Sequence, residues 1–140
     1  MRVMRTICAR FTRGTDLYDG LKALAAENAV TAAGIVSLVG CVSRATVRAA
    51  GAEEILTVPG PLEIVSATGT VSRERIHVHA AFSDKKLNVF GGHLKPGCVV
   101  DTTAEVILLV MDDTRFSGAF DPATGFNELY IELTEAEHGR

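Results

Sequence analysis

The sequence predicts an α+β domain, with one helix packed on a set of antiparallel strands. Two observations carry this. Only the stretch from Asp16 to Asn28 repeats apolar residues at helical spacing, at Leu17, Leu21, Leu24 and Ala25. Nearly all the rest is alternating or β-branched apolar runs separated by Gly, Pro and Asp turns.

Met1 to Phe11 alternates and is rich in β-formers, so it reads as a strand. Arg13-Gly14-Thr15-Asp16 follows, and Thr15 or Asp16 can cap the helix that runs to about Asn28. Val30 to Val42 reads as a central strand bent at Gly34 and Gly40. Ser43 to Ala50 alternates Val and Arg as a separate, half-exposed strand, and Gly51-Ala52 turns the chain. Glu53 to Val58 is a short strand, Pro59-Gly60-Pro61 breaks it, and Leu62 to Ser72 is the next. Ile76 to Phe82 and Leu87 to Leu94 form a hairpin turning through Ser83-Asp84-Lys85-Lys86. After Lys95-Pro96-Gly97, Cys98 to Met111 is a long, mostly buried strand interrupted by Glu105. Asp112-Asp113 turns, Asp121 to Gly125 is a loop, and Glu128 to Leu133 is the last strand. One domain over residues 1–133 with a polar tail, 134–140, accounts for the length.

At 140 residues a chain buries roughly two-thirds of its unfolded surface, enough for a core without staples. The net charge of −3 and scattered cations argue against tight DNA binding by this chain alone. Arg2, Arg5, Arg10 and Arg13 do not share one strand face and read as a solvated edge. Cys8, Cys41 and Cys98 lie far apart in apolar contexts, as buried thiols in a reducing compartment would. With no signal-peptide pattern and no membrane-length apolar run, a cytoplasmic protein is expected.

Three of the four histidines fall in the hairpin. His77 and His79 stand at i and i+2, so they share a strand face, roughly 6–7 Å apart at Cα. A turn centred near Lys86 sets His93 opposite His79, on that same face. His79 then reads as the middle of a three-imidazole cluster. Three neutral imidazoles suit a divalent transition metal, zinc first, and leave a coordination position open for water or a small anionic ligand. Gly91 and Gly92 before His93 suit a close backbone approach.

Glu105 interrupts an apolar strand, where an unpaired carboxylate would be costly. It is a candidate to orient a ligand histidine, to ligate the metal or to act as a general base. The bland alternative is an edge carboxylate paired with an arginine. Glu63 has the same ambiguity. Asp84 reads as a turn residue, and His138 sits in the polar tail. No phosphate-binding glycine loop, dinucleotide fingerprint or nucleophile elbow is present.

Several segments together resemble a known family, the plant and prokaryote conserved (PPC) domain. They are Arg13-Gly14-Thr15-Asp16-Leu17, Leu38-Val39-Gly40-Cys41-Val42-Ser43, Leu62 to Thr70, His77-Val78-His79-Ala80, Gly91-Gly92-His93-Leu94 and Thr103-Ala104-Glu105-Val106. The resemblance implies a strongly bent antiparallel sheet, flanking helices and a homotrimer, with His77, His79 and His93 matching the family's metal-ligand histidines. Plant members carry a basic Arg-Gly-Arg-Pro hook for DNA, and no such element occurs here. Long apolar strands with a single helix to cover them also leave sheet surface that self-association would bury. The expectation is therefore a homotrimeric, zinc-binding protein whose site binds a small molecule or supports metal-assisted chemistry. The alternative is a DNA-associated regulatory or scaffold protein without catalysis.

Overall fold

The structure, a computed structural model, describes residues 4–134. Asp16 starts the helix α1 (Leu17–Glu27). Its Oδ1 accepts the Asp19 N–H at 3.1 Å, a cap that satisfies one of the free amides of the first turn. Its Oδ2 accepts the Gly97 N–H at 2.5 Å, which ties the helix start to a distant turn. Ala29 ends the helix at φ 50°, and the Val30 N–H closes back on the Ala25 carbonyl. Leu17, Leu21 and Ala25 form the buried stripe.

Among the described residues the rest of the fold is eight strands: β1 (Met4–Thr12), β2 (Ala33–Arg48), β3 (Ile55–Val71), β4 (Ile76–Ser83), β5 (Val89–Leu94), β6 (Val99–Met111), β7 (Thr114–Asp121) and β8 (Phe126–Leu133). Six form one antiparallel sheet in the order β1-β6-β2-β3-β4-β5. The end of β2 also pairs with β5, Val47 with Leu94 and Arg48 with His93. That pairing closes β2, β3, β4 and β5 into a ring. The bent sheet wraps the helix stripe, and Val42, Leu62, Val78, Phe82, Leu94, Val100 and Leu108 complete the core. β7 and β8 form a separate hairpin. Among the described residues no helix is long and apolar enough to cross a membrane.

Several sequence expectations change. Val30–Val42 and Ser43–Ala50 are not two strands: β2 runs through them, with its register shifting between Val42 and Arg44. Pro59-Gly60-Pro61 does not break β3. The prolines face that irregularity, where the ladder is already interrupted and a missing N–H costs little. β7 was not expected, because Gly118 and short polar residues hide its alternation. Of the cysteines only Cys98 is buried; Cys8 is exposed and Cys41 intermediate. Their apolar neighbours misled because the outward sheet face is itself partly apolar. Ile107 and Leu109 of β6 point outward, as do Val39 of β2 and Val65 of β3. Arg5 and Arg13 pair with Asp112 and Asp101 on the edge strand's side of the sheet. Arg2, His138 and residues 135–140 of the expected tail lie outside the described residues.

Candidate metal centre

The histidine hairpin forms in the expected register. His79 pairs with His93 across β4 and β5, and Phe82 with Phe90. Asp84 holds the turn: its Oδ1 accepts the N–H groups of Lys86 and Asn88 at 2.8 and 2.9 Å, and its Oδ2 accepts the Asn88 amide at 3.0 Å. Asn88's hydrogen bonds keep this carboxyl below its ordinary pKa. Gly91 and Gly92 let β5 sit tightly between its neighbours. A Cβ on Gly91 would lie 2.5 Å from the Ala80 carbonyl oxygen, and one on Gly92 2.6 Å from that of Arg48. β3 supports the other side, with Thr70 opposite His77 and Thr68 opposite His79.

The three rings form a nearly equilateral group. Their centroids are 5.2 Å (His77–His79), 5.0 Å (His77–His93) and 5.4 Å (His79–His93) apart. No ring is the middle member, contrary to the sequence expectation for His79. His77 and His93 are diagonal neighbours across the hairpin, yet their rings stand as close as either does to His79. One ligand atom from each residue lies within 4.8 Å of the others. A tetrahedral ion with bonds of about 2.0–2.1 Å wants roughly 3.4 Å between ligand nitrogens, so a small closure suffices. The donor set fits a metal held by neutral imidazoles.

Burial and the Arg48 guanidinium push His93 down to about 4. Burial and Arg75 lower His77 as well. Both rings are therefore neutral at pH 7, the form that ligates. Arg48 Nη2 lies 3.4 Å from His93 Nδ1, and Arg75 Nη2 lies 3.4 Å from His77 Nδ1. A cavity of about 510 Å³ opens beside His77 and His93 and is lined by Lys22, Arg48, Arg73, Arg75 and Lys95.

Sequence reasoning missed both arginines. Arg75 was readable, since it precedes His77 at the same i, i+2 spacing that joins His77 to His79. Arg48 was not, because it depends on β2 closing onto β5. Glu105 is not brought to the cluster. It is exposed on β6, opposite Arg10 of β1 and Val39 of β2. Val39 lies nine residues along β2 from Arg48, on the order of 25–30 Å of strand path. Its exposure removes the desolvation cost that singled it out. Glu63 is exposed too, opposite Cys41 and Ser83.

Residues 1–112 match the Plants and Prokaryotes Conserved (PCC) domain. The chain belongs to this family. It is 38% identical over 129 residues to the bifunctional protein GlmU of Synechococcus sp. (strain JA-3-3Ab). The match covers 92% of this chain but 21% of the relative, so the chain spans about a fifth of that protein. A hypothetical protein from Salmonella cholerae-suis superimposes with a TM-score of 0.91 at 30% identity, covering 95% of this chain and 96% of the other. A metal-containing protein from Archaeoglobus fulgidus gives 0.73 at 27% identity, covering 90% and 93%. A PPC protein from Pyrococcus horikoshii gives 0.73 at 24% identity, covering 96% and 97%, and shares the fold.

Proposed function

We propose that this PCC-domain protein binds a divalent transition metal, zinc first, through His77, His79 and His93, and admits a small molecule at the remaining position. The observation that carries the reading is the convergence of three imidazole nitrogens within 4.8 Å on one hairpin. The depressed pKa of His77 and His93 supports it, since proton competition is weakened. The metal-containing Archaeoglobus fulgidus relative supports it as well. Three protein ligands leave the site open, the pattern of ligand-binding or catalytic rather than structural metal sites. The metal would supply Lewis acidity there, while the histidines hold it and the arginines set the field around it.

Isothermal titration with zinc tests this. One ion per chain is expected, and His77→Ala, His79→Ala and His93→Ala should each weaken binding at least about 100-fold, at the upper end of what outer-shell changes alone cause. Equal affinity in wild type and the three variants would refute the site.

We further propose that the chain works as a homotrimer. The outward apolar face, with Val39, Val65, Ile107 and Leu109 exposed, supports self-association. Light scattering at micromolar concentration tests it, and a monomer would overturn it.

A further inference from the structure

We propose that the basic cavity beside the histidines binds an oxyanion, carboxylate or phosphate, through Arg48 and Arg75, and that a metal on the histidines tightens this binding. The inference rests on the metal reading above.

Charge is the first argument. Five cationic side chains line the cavity: Lys22, Arg48, Arg73, Arg75 and Lys95. Only two carboxylates join them, Glu74 and Glu128. Glu74 is already engaged by Arg115, with bonds of 2.9 and 3.1 Å. Glu128 accepts the Thr124 hydroxyl at 2.9 Å. A strongly positive cavity on a chain of net charge −3 focuses anions where they would otherwise be repelled.

Hydrogen-bond capacity is the second. Arg75 donates from Nη1 to the Asn127 carbonyl at 2.7 Å, which fixes its plane. Its Nε is buried and has no acceptor among the described residues. Its Nη2, and Nη2 of Arg48, reach only as far as the His77 and His93 Nδ1 atoms, at 3.4 Å. That is long for a hydrogen bond.

The third argument follows from lone pairs. A guanidinium only donates, so each Nδ1 facing an arginine must offer a lone pair. A neutral imidazole has one such nitrogen. If the metal takes Nδ1, the arginine loses its acceptor. If the metal takes Nε2, the proton moves to Nδ1, which then faces the arginine as a second donor. Either way metal loading removes even this weak, 3.4 Å acceptor from Arg48 and Arg75. Two guanidinium groups lining one cavity are left, which an oxyanion satisfies with charge-assisted bonds.

The test uses the full chain loaded with one equivalent of cobalt(II), whose visible bands report changes around the metal. It is titrated with inorganic phosphate and, separately, with acetate. A saturable response to at least one anion is expected, at least ten-fold weaker in Arg48→Gln and in Arg75→Gln. Arg48→Lys should fall between, and Lys86→Gln in the exposed turn should match wild type. Cobalt affinity should stay within about three-fold throughout. Isothermal titration should show the metal-free protein binding the preferred anion at least ten-fold more weakly. Tighter phosphate assigns a phosphate-bearing ligand, and tighter acetate a carboxylate-bearing one. Should Arg75→Gln unfold for want of its Asn127 contact, Arg48→Gln decides alone. Cobalt binding without an anion response, or a response unchanged by Arg48→Gln, overturns the inference and leaves the metal site standing. Wild type that takes up neither cobalt nor zinc overturns both.

Discussion

Gly69→Ala tests how tightly β3 must approach β4 to present the histidines. Gly69 lies opposite Val78, between the two pairs that hold His77 and His79. An added Cβ would overlap the His77 carbonyl oxygen and sit 2.7 Å from Val78 Cα. Both are backbone atoms, so neither can rotate away, and the strands must separate. Overpacking of this kind costs typically 1–3 kcal/mol. The φ of 157° adds strain for any residue with a Cβ. With the φ strain at the low end of its own range, about 1 kcal/mol, and overpacking mid-range at about 2 kcal/mol, the total is about 3 kcal/mol. Unfolding entropy of about 2.1 cal/mol/K per residue gives roughly 0.3 kcal/mol/K for this length, so Tm should fall by about 10 °C. Gly34→Ala is the matched control: it lies in β2 opposite Thr70, and an added Cβ meets no atom within 4 Å. It should be neutral or stabilise by up to about 1 kcal/mol. Thermal unfolding followed by far-UV circular dichroism at one protein concentration reads both. A Gly69→Ala variant melting within a degree of wild type would refute the close-approach argument.

Asp16→Ala removes the helix cap and orphans the Gly97 N–H, so urea unfolding should show a loss of about 2–4 kcal/mol, with Asp16→Asn losing less. The metal-free protein should be acid-sensitive above the carboxylate range. The unfolded chain protonates His93 below about 6.5, whereas the folded chain does so only below about 4. The unfolded state therefore binds more protons between those values, and stability should fall as pH drops through that window and be flat above it. The urea midpoint measured from pH 7.5 to 4.5 should show this slope, and His93→Gln should reduce it. Glu105→Gln should leave zinc affinity unchanged by isothermal titration, since the side chain lies on a different part of the sheet. Ile107→Lys, on the outward apolar face, should lower the mass seen by light scattering if that face joins subunits.

What the sequence made legible is local. The helix and the histidine hairpin rest on spacings of a few residues and stand where those spacings placed them; of the two cap candidates, Thr15 and Asp16, the structure uses Asp16. Features set by distant partners were hidden. β3 passes through Pro59 and Pro61 because β2 is irregular just opposite, some fifteen residues earlier in the chain. Glu105 was singled out because its strand looked apolar on both faces. The strand is apolar on both faces, yet one of them is exposed, so the carboxylate is not buried. Arg48 had no signal at all in its own neighbourhood.

The closure of β2 onto β5 bears on when the centre can exist. All three histidines fit within a nineteen-residue hairpin, but Arg48 reaches His93 across a separation of 45 positions. A contact of that sequence distance carries a loop-closure cost, which the docking of the intervening strands β3 and β4 offsets. A peptide spanning residues 76–94 should therefore hold metal loosely and without the basic surround. The histidine cluster with its basic surround is a property of the closed ring and not of the hairpin alone.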